Sequence, residues 1–199
     1  MLILASQSPR RRELLGRITE QFLVRPTGCD ESFICADPAE HARQLALRKC
    51  AAAVTESAPD DAVIAADTVV FLDGVLLEKP GSKAEARAML RRLSGHTHIV
   101  CTGVAVAYKG ETRSFVQQTR VTFHELSDSL IDWYVATGEP MDKAGAYGIQ
   151  GKGALLVEGI EGDYFNVVGF PLKRFADFLR EEFSLSLADY IENKEPKII

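Results

Sequence analysis

Two runs rich in β-forming residues, Thr97 to Tyr108 and Thr112 to Phe123, flank Lys109-Gly110 and read as one long antiparallel pair. A second hairpin is signalled by Asp73-Gly74 between Ala62–Leu72 and Val75–Leu77. Two hairpins in one chain argue against a purely parallel, doubly wound sheet. Helical segments nevertheless alternate with the strands. Leu2 to Ala5 reads as a short buried strand running into Ser6-Gln7-Ser8-Pro9, where Ser8 can cap a helix and Pro9 suits its first turn. Phe22 to Arg25 is a further strand. Asp37-Pro38-Ala39-Glu40 opens a helix to about Glu56, and Ser82-Lys83-Ala84-Glu85 opens another through Leu93. Ser127 or Asp128 starts a helix that stops at Thr137-Gly138, and Pro171 to Glu182 is amphipathic, with Leu172, Phe175, Phe178 and Leu179 on one side. The expected fold is mixed α/β, a largely antiparallel twisted sheet flanked by helices.

The 199 residues, 46% of them hydrophobic, suffice for one domain with a core that needs neither metal nor disulfide. A net charge of −5 argues against a nucleic-acid polymer as partner, since such binders carry a basic stripe. No apolar run approaches the ~20 residues of a membrane helix. The opening Met1-Leu2-Ile3-Leu4-Ala5 is too short for a signal-peptide core, so a cytoplasmic protein is expected. Cys29, Cys35, Cys50 and Cys101 form no C-x-x-C pair and read as buried free thiols. His96 and His98 would share one strand face, but no ligand set accompanies them.

Two nucleotide motifs fail. Gly151-Lys152 resembles the end of a P-loop, but Gly153 replaces the Ser or Thr and Ala146 the leading Gly. Gly151-Lys152-Gly153 also lacks the third Gly of a dinucleotide fingerprint and precedes a strand. Eight of the 15 Gly fall between Gly138 and Gly169, together with Asp142, Lys143, Gln150 and Lys152; the stretch is a binding wall or a set of turns. The loop around Ser6, with Arg10 and Arg11 on the first helical turn, is a candidate anion site or a capped surface helix. Asp67 is the sharper signal: a carboxylate inside Ala65-Ala66-Asp67-Thr68-Val69-Val70 must be paired, catalytic or metal-bound. Lys79, after the hairpin arm, could approach it. Asp30-Glu31 is a turn by itself; beside Asp67 it would make an oxygen-rich site suited to Mg²⁺ or Mn²⁺. Lys49 reads as a solvated helix residue. Clustered cations and carboxylates suggest metal-assisted chemistry on a phosphate ester or anhydride.

The chain closely resembles the Maf family of nucleoside triphosphate pyrophosphatases. The resemblance is carried by Ser6-Gln7-Ser8-Pro9-Arg10-Arg11, Ala66-Asp67-Thr68-Val69-Val70, Glu78-Lys79-Pro80, Leu93-Ser94-Gly95, Thr102-Gly103-Val104, the block from Glu139 to Gly151, Gly162-Asp163-Tyr164 and Val168-Gly169-Phe170-Pro171. It implies an inosine triphosphatase-like architecture, one domain over 1–185 with two lobes around a cleft, a polar tail over 186–199, and a homodimer. It also implies hydrolysis of a nucleoside triphosphate to the monophosphate and pyrophosphate. Asp67 matches the family's proton acceptor, and Arg10, Thr68 and Gln150 match its base-specificity positions. Ser6, Arg11, Lys49 and Lys79 match phosphate-side positions, and Glu31, with Asp67, the metal side (Mg²⁺ or Mn²⁺). Arg after Ser8-Pro9, Thr after Asp67 and Gly148-Ile149-Gln150-Gly151 resemble the branch acting on dTTP and UTP rather than the 7-methyl-GTP branch. Arg48-Lys49-Cys50 departs from the usual Glu-Lys-Ala. The competing readings are a non-catalytic nucleotide-binding regulator of septum formation and a terminal phosphatase.

Overall fold

The computed structural model describes residues 1–32 and 35–187. Of the polar tail expected over 186–199, residues 188–199 lie outside the described residues, while Leu187, like Leu185, packs against the core. The described elements, in chain order, are β1 (Leu2–Leu4), α1 (Pro9–Gly16), β2 (Phe22–Val24), α2 (Pro38–Val54), β3 (Ala62–Leu72), β4 (Val75–Leu77), α3 (Lys83–Leu93), β5 (Thr97–Tyr108), β6 (Glu111–Phe123), α4 (Asp128–Ala136), β7 (Val157–Glu161), α5 (Tyr164–Val168) and α6 (Leu172–Phe183). Between α4 and β7 lie three short 3-10 turns, Glu139–Asp142, Ala144–Ala146 and Lys152–Leu156. The helix starts follow side-chain capping: Ser8, Asp37, Ser82, Ser127 and Asp163 each accept a hydrogen bond from a first-turn amide.

The strands form one sheet in the order β2-β1-β3-β5-β6-β7, with β4 also on β3. β1 runs parallel to β2 and β3, and every other pairing is antiparallel, so the mixed, largely antiparallel sheet expected from the sequence is the one formed. The short α5 had no counterpart in the sequence reading. Its five residues are too few to show a helical period, and it is set by Asp163 capping the amides of Phe165 and Asn166. No helix among the described residues is long and apolar enough to cross a membrane.

Two features of β3 place the site. First, β1 and β4 hold successive stretches of the same strand edge. β1 pairs as far as Ile64 and β4 begins at Val70, so the intervening edge has β5 alone as a neighbour. Second, the apolar packing breaks at the same height on both faces. On one face Ile64, Ala66 and Val104 belong to one cluster and Val70 and Val100 to another, with Thr68 and Thr102 between them. On the other, Ala65 and Ala105 are separated from Val69 and Cys101 by Asp67 and Gly103. A polar belt therefore crosses the centre of the sheet.

Asp67 and Gly103 are register partners, and α2 lies directly over them. A Cβ on Gly103 would sit 2.3 Å from the carbonyl oxygen of Ala42, so only glycine permits this close approach of helix to sheet. Gly103→Ala is expected to lower unfolding stability by about 3 kcal/mol, as an over-packed core does. Urea denaturation followed by circular dichroism measures it.

Candidate functional site

The open edge of β3 faces a cleft of about 990 Å³. Its walls come from the β1–α1 loop, the segment after β2, α2, the arm after β4, residues 139–151 and the end of α5. The nine residues matched to site positions in the sequence all line it: Ser6, Arg10, Arg11, Glu31, Lys49, Asp67, Thr68, Lys79 and Gln150.

Neighbouring strand residues point to opposite faces, and Asp67 and Thr68 have separate partners accordingly. Asp67, 8% exposed, accepts from Lys49 Nζ at 2.5 Å. The same ammonium lies 3.2 Å from Glu31, so two carboxylates converge on one cation. Lys49 is thus not the solvated helix residue its position suggests; its side chain is 16% exposed. Asp30 does not join them, because its carboxylate accepts from the amide and hydroxyl of Ser32. Among the described residues no three His, Cys, Asp or Glu are grouped to hold a metal unaided.

On the other face the Thr68 hydroxyl meets Arg11 Nη2 and Thr102 Oγ1, each at 2.9 Å. Arg11 Nε donates to the Gly169 carbonyl at 3.0 Å. Burial lowers the Arg11 pKa, and the charge of Asp67 pulls it the other way. Thr102 donates to the Asn166 carbonyl at 3.0 Å, and the fully buried Asn166 amide donates to Val100 O and Thr119 Oγ1. The sequence reading assigned neither Thr102 nor Asn166 a role. For Thr102, on β5, a polar residue at a core-facing strand position was the available signal, and it named no partner.

Ser6 accepts from the Ser8 amide at 3.2 Å, and Ser8 caps α1. Arg10 reaches across to Asp142 at 3.1 Å. Lys79 is exposed and has no ion-pair partner among the described residues. Gln150 is exposed at the tip of the 148–153 segment. That segment is fastened by Glu139, whose carboxylate accepts from Tyr134 Oη, Lys152 N and Gly153 N at 2.9–3.1 Å. Burial pushes the Glu139 carboxyl up, but those donors and Lys143 bring it below its ordinary value. The sequence reading gave Glu139 no role either.

The cysteines and histidines divide. Cys50 and Cys101 are buried, with thiol pKa values pushed up to about 12 by desolvation, whereas Cys29 and Cys35 are partly exposed, contrary to the expectation of four buried thiols. His96 precedes β5, so it does not share a strand face with His98. Burial takes the His98 pKa down to about 4, and its Nε2 lies 2.7 Å from Tyr147 Oη.

Cations from α1 and the β4 arm and the paired carboxylates thus line one cleft of an α/β protein. The chain belongs to the Maf family: the Maf-like protein model matches residues 1–182. It is 51% identical over 173 residues to the dTTP/UTP pyrophosphatase of Thermococcus kodakarensis, covering 87% of this chain and 92% of that protein. It is 54% identical over 181 residues to the protein of the same name from Moorella thermoacetica, covering 89% and 93%. With the one from Symbiobacterium thermophilum it shares 52% over 181 residues, covering 90% and 93%. The solved Staphylococcus aureus Ham1 protein gives a TM-score of 0.45 at 17% identity, over 62% of this chain and 72% of that one, too distant to bear on the architecture.

Thr102→Val keeps the shape of the side chain but removes both of its polar contacts. It is expected to cost about 1–2 kcal/mol of unfolding free energy, the scale of a buried hydrogen bond left half-made. Chemical denaturation of the variant against wild type measures this.

Proposed function

We propose that the cleft hydrolyses the α–β phosphoanhydride of dTTP and UTP, releasing the nucleoside monophosphate and pyrophosphate. The observation that carries this reading is the Asp67–Lys49–Glu31 cluster facing Arg10, Arg11 and Lys79 across the open edge of β3. Relatives about half identical over nearly their whole length bear that activity in their names and support the choice of substrate.

In this reading Asp67 takes the proton of a water molecule that attacks the α-phosphorus. The new P–O bond forms as the α–β bridge bond breaks, and the electron pair leaves with pyrophosphate. Lys49 holds the Asp67 carboxylate in place. Arg11 and Lys79 take the phosphate oxygens on which charge accumulates, with Ser6 and the capped end of α1 beside them. Arg10, Thr68 and Gln150 face the base.

Glu31 and Asp67, which share the Lys49 ammonium, are the hard oxygen donors that would suit a Mg²⁺ or Mn²⁺ ion, since such ions need only one or two protein carboxylates beside phosphate and water. Glu31 and Asp67 would hold it, and it would offset the charge of the triphosphate. A homodimer belongs to the same reading on the family resemblance alone, and a cytoplasmic setting carries over from the sequence expectation.

Incubation with a nucleotide panel and Mg²⁺ or Mn²⁺, with products separated by ion exchange, is expected to give monophosphate and pyrophosphate from dTTP and UTP. Chelation should stop the reaction and added metal restore it. Orthophosphate as the product would establish a terminal phosphatase, and binding without turnover the non-catalytic regulator. Asp67→Asn is expected to lose about 10²–10⁴-fold in rate, the usual share of a general base. Its circular dichroism should stay that of wild type; full activity would remove Asp67 from the mechanism.

A further inference from the structure

Of the three residues assigned to base selection, two are tied to one short 3-10 turn, Glu139–Asp142: Arg10 directly and Gln150 through the neighbouring amides of Lys152 and Gly153. On one side, Glu139 Oε2 accepts from Lys152 N at 2.9 Å, and Oε1 accepts from Gly153 N at 3.1 Å and Tyr134 Oη at 3.0 Å. These bonds bend the segment carrying Gln150 back over the turn. The approach is so close that a Cβ at Gly151 would lie 2.6 Å from Glu139 Oε2. On the other side, Asp142 Oδ2 accepts from Arg10 Nη1 at 3.1 Å. Its Oδ1 accepts from Lys143 Nζ at 2.6 Å, and that ammonium also donates to the Glu139 carbonyl at 2.7 Å.

We propose that Glu139 and Asp142 are positioning residues for base recognition: Glu139 sets the loop that presents Gln150, and Asp142 sets the guanidinium of Arg10. The claim rests on the reading of the cleft as a pyrimidine nucleotide site and adds to it the part that fixes selectivity.

Magnitudes separate this from a latch that holds the cleft shut. Asp142 is 63% exposed, and an ion pair so open to water contributes little. That is enough to bias one side chain among its rotamers and too little to clamp two walls together. Glu139 is half-buried with three donors, so its carboxylate fixes backbone. In Glu139→Gln an amide NH₂ must face one of those donors, and the segment moves without any change in volume.

The test measures Kd by calorimetry for non-hydrolysable α,β-methylene analogues of dTTP and dCTP and for inorganic tripolyphosphate, which has no base. Alongside go KM and kcat for dTTP. Glu139→Gln is expected to raise the dTTP-analogue Kd and the dTTP KM about tenfold, the loss of one charge-assisted hydrogen bond. It should narrow the dTTP/dCTP ratio and leave tripolyphosphate affinity and kcat within about twofold. Asp142→Asn, at an exposed position that does not threaten folding, should act the same way by about two- to fivefold. Equal weakening of tripolyphosphate, or an unchanged dTTP/dCTP ratio in both variants, would overturn the proposal. Tighter analogue binding by Asp142→Asn would make Asp142 a competitor for Arg10 and also overturn it. Wild type without turnover of dTTP or UTP defeats the functional reading instead, and the analogue affinities still decide this one.

Discussion

A carboxylate 8% exposed in the middle of an apolar strand is the constraint around which this molecule is arranged. An uncompensated charge at that depth costs several kcal/mol, so Asp67 requires a cation on its own face of the sheet. Lys49 supplies it from α2, and α2 must then lie against β3 and β5 at an unusually short distance. Gly103, the register partner of Asp67, makes that distance possible because it places no side chain under Ala42. Ion pair, helix placement and glycine therefore depend on one another. Changing any one of them disturbs the other two.

The same height in the sheet is where the apolar core is divided on both faces, and where the edge of β3 passes from β1 to β4. A continuous core would have filled this space with aliphatic side chains, and a continuous edge would have closed it with backbone hydrogen bonds. The parallel strand from the chain's start and the antiparallel strand of a local hairpin each stop short. The gap between them becomes the floor of the cleft. A chain of net charge −5 still gathers Arg10, Arg11, Lys49 and Lys79 at this one place, as the proposed binding of an anion requires.

Much of this was legible in the residues themselves. Long strands with turn dipeptides between them, Asp73-Gly74 and Lys109-Gly110, report on local backbone and were read with their limits nearly intact. Asp67 stood out because its surroundings in sequence are also its surroundings in the strand. What the pattern could not reach was contact across the chain. Thr102 meets Asn166 over 64 positions, and Arg11 meets Gly169 over 158. Lys49 read as solvated because nothing within its helix announces a carboxylate on β3. Glu139 was invisible for a different reason: two of its three partners are backbone amides, which every residue carries and no sequence distinguishes.

The alternation of a β-strand also explains how one site can divide its work. Asp67 and Thr68 are adjacent, yet the first meets Lys49 and Glu31 beneath α2 while the second meets Arg11, Gly169 and Thr102 on the opposite face. In the proposed function the charge cluster around Asp67 and the polar network around Thr68 are thus built from different helices and lie between different pairs of core clusters. The 139–153 segment stands apart from both, tied by its own carboxylate to its own amides. On that proposal a substitution there alters what the cleft presents to a base without passing through Asp67. Selectivity can drift in such an arrangement while the hydrolytic centre stays fixed by the pairing that the sheet demands.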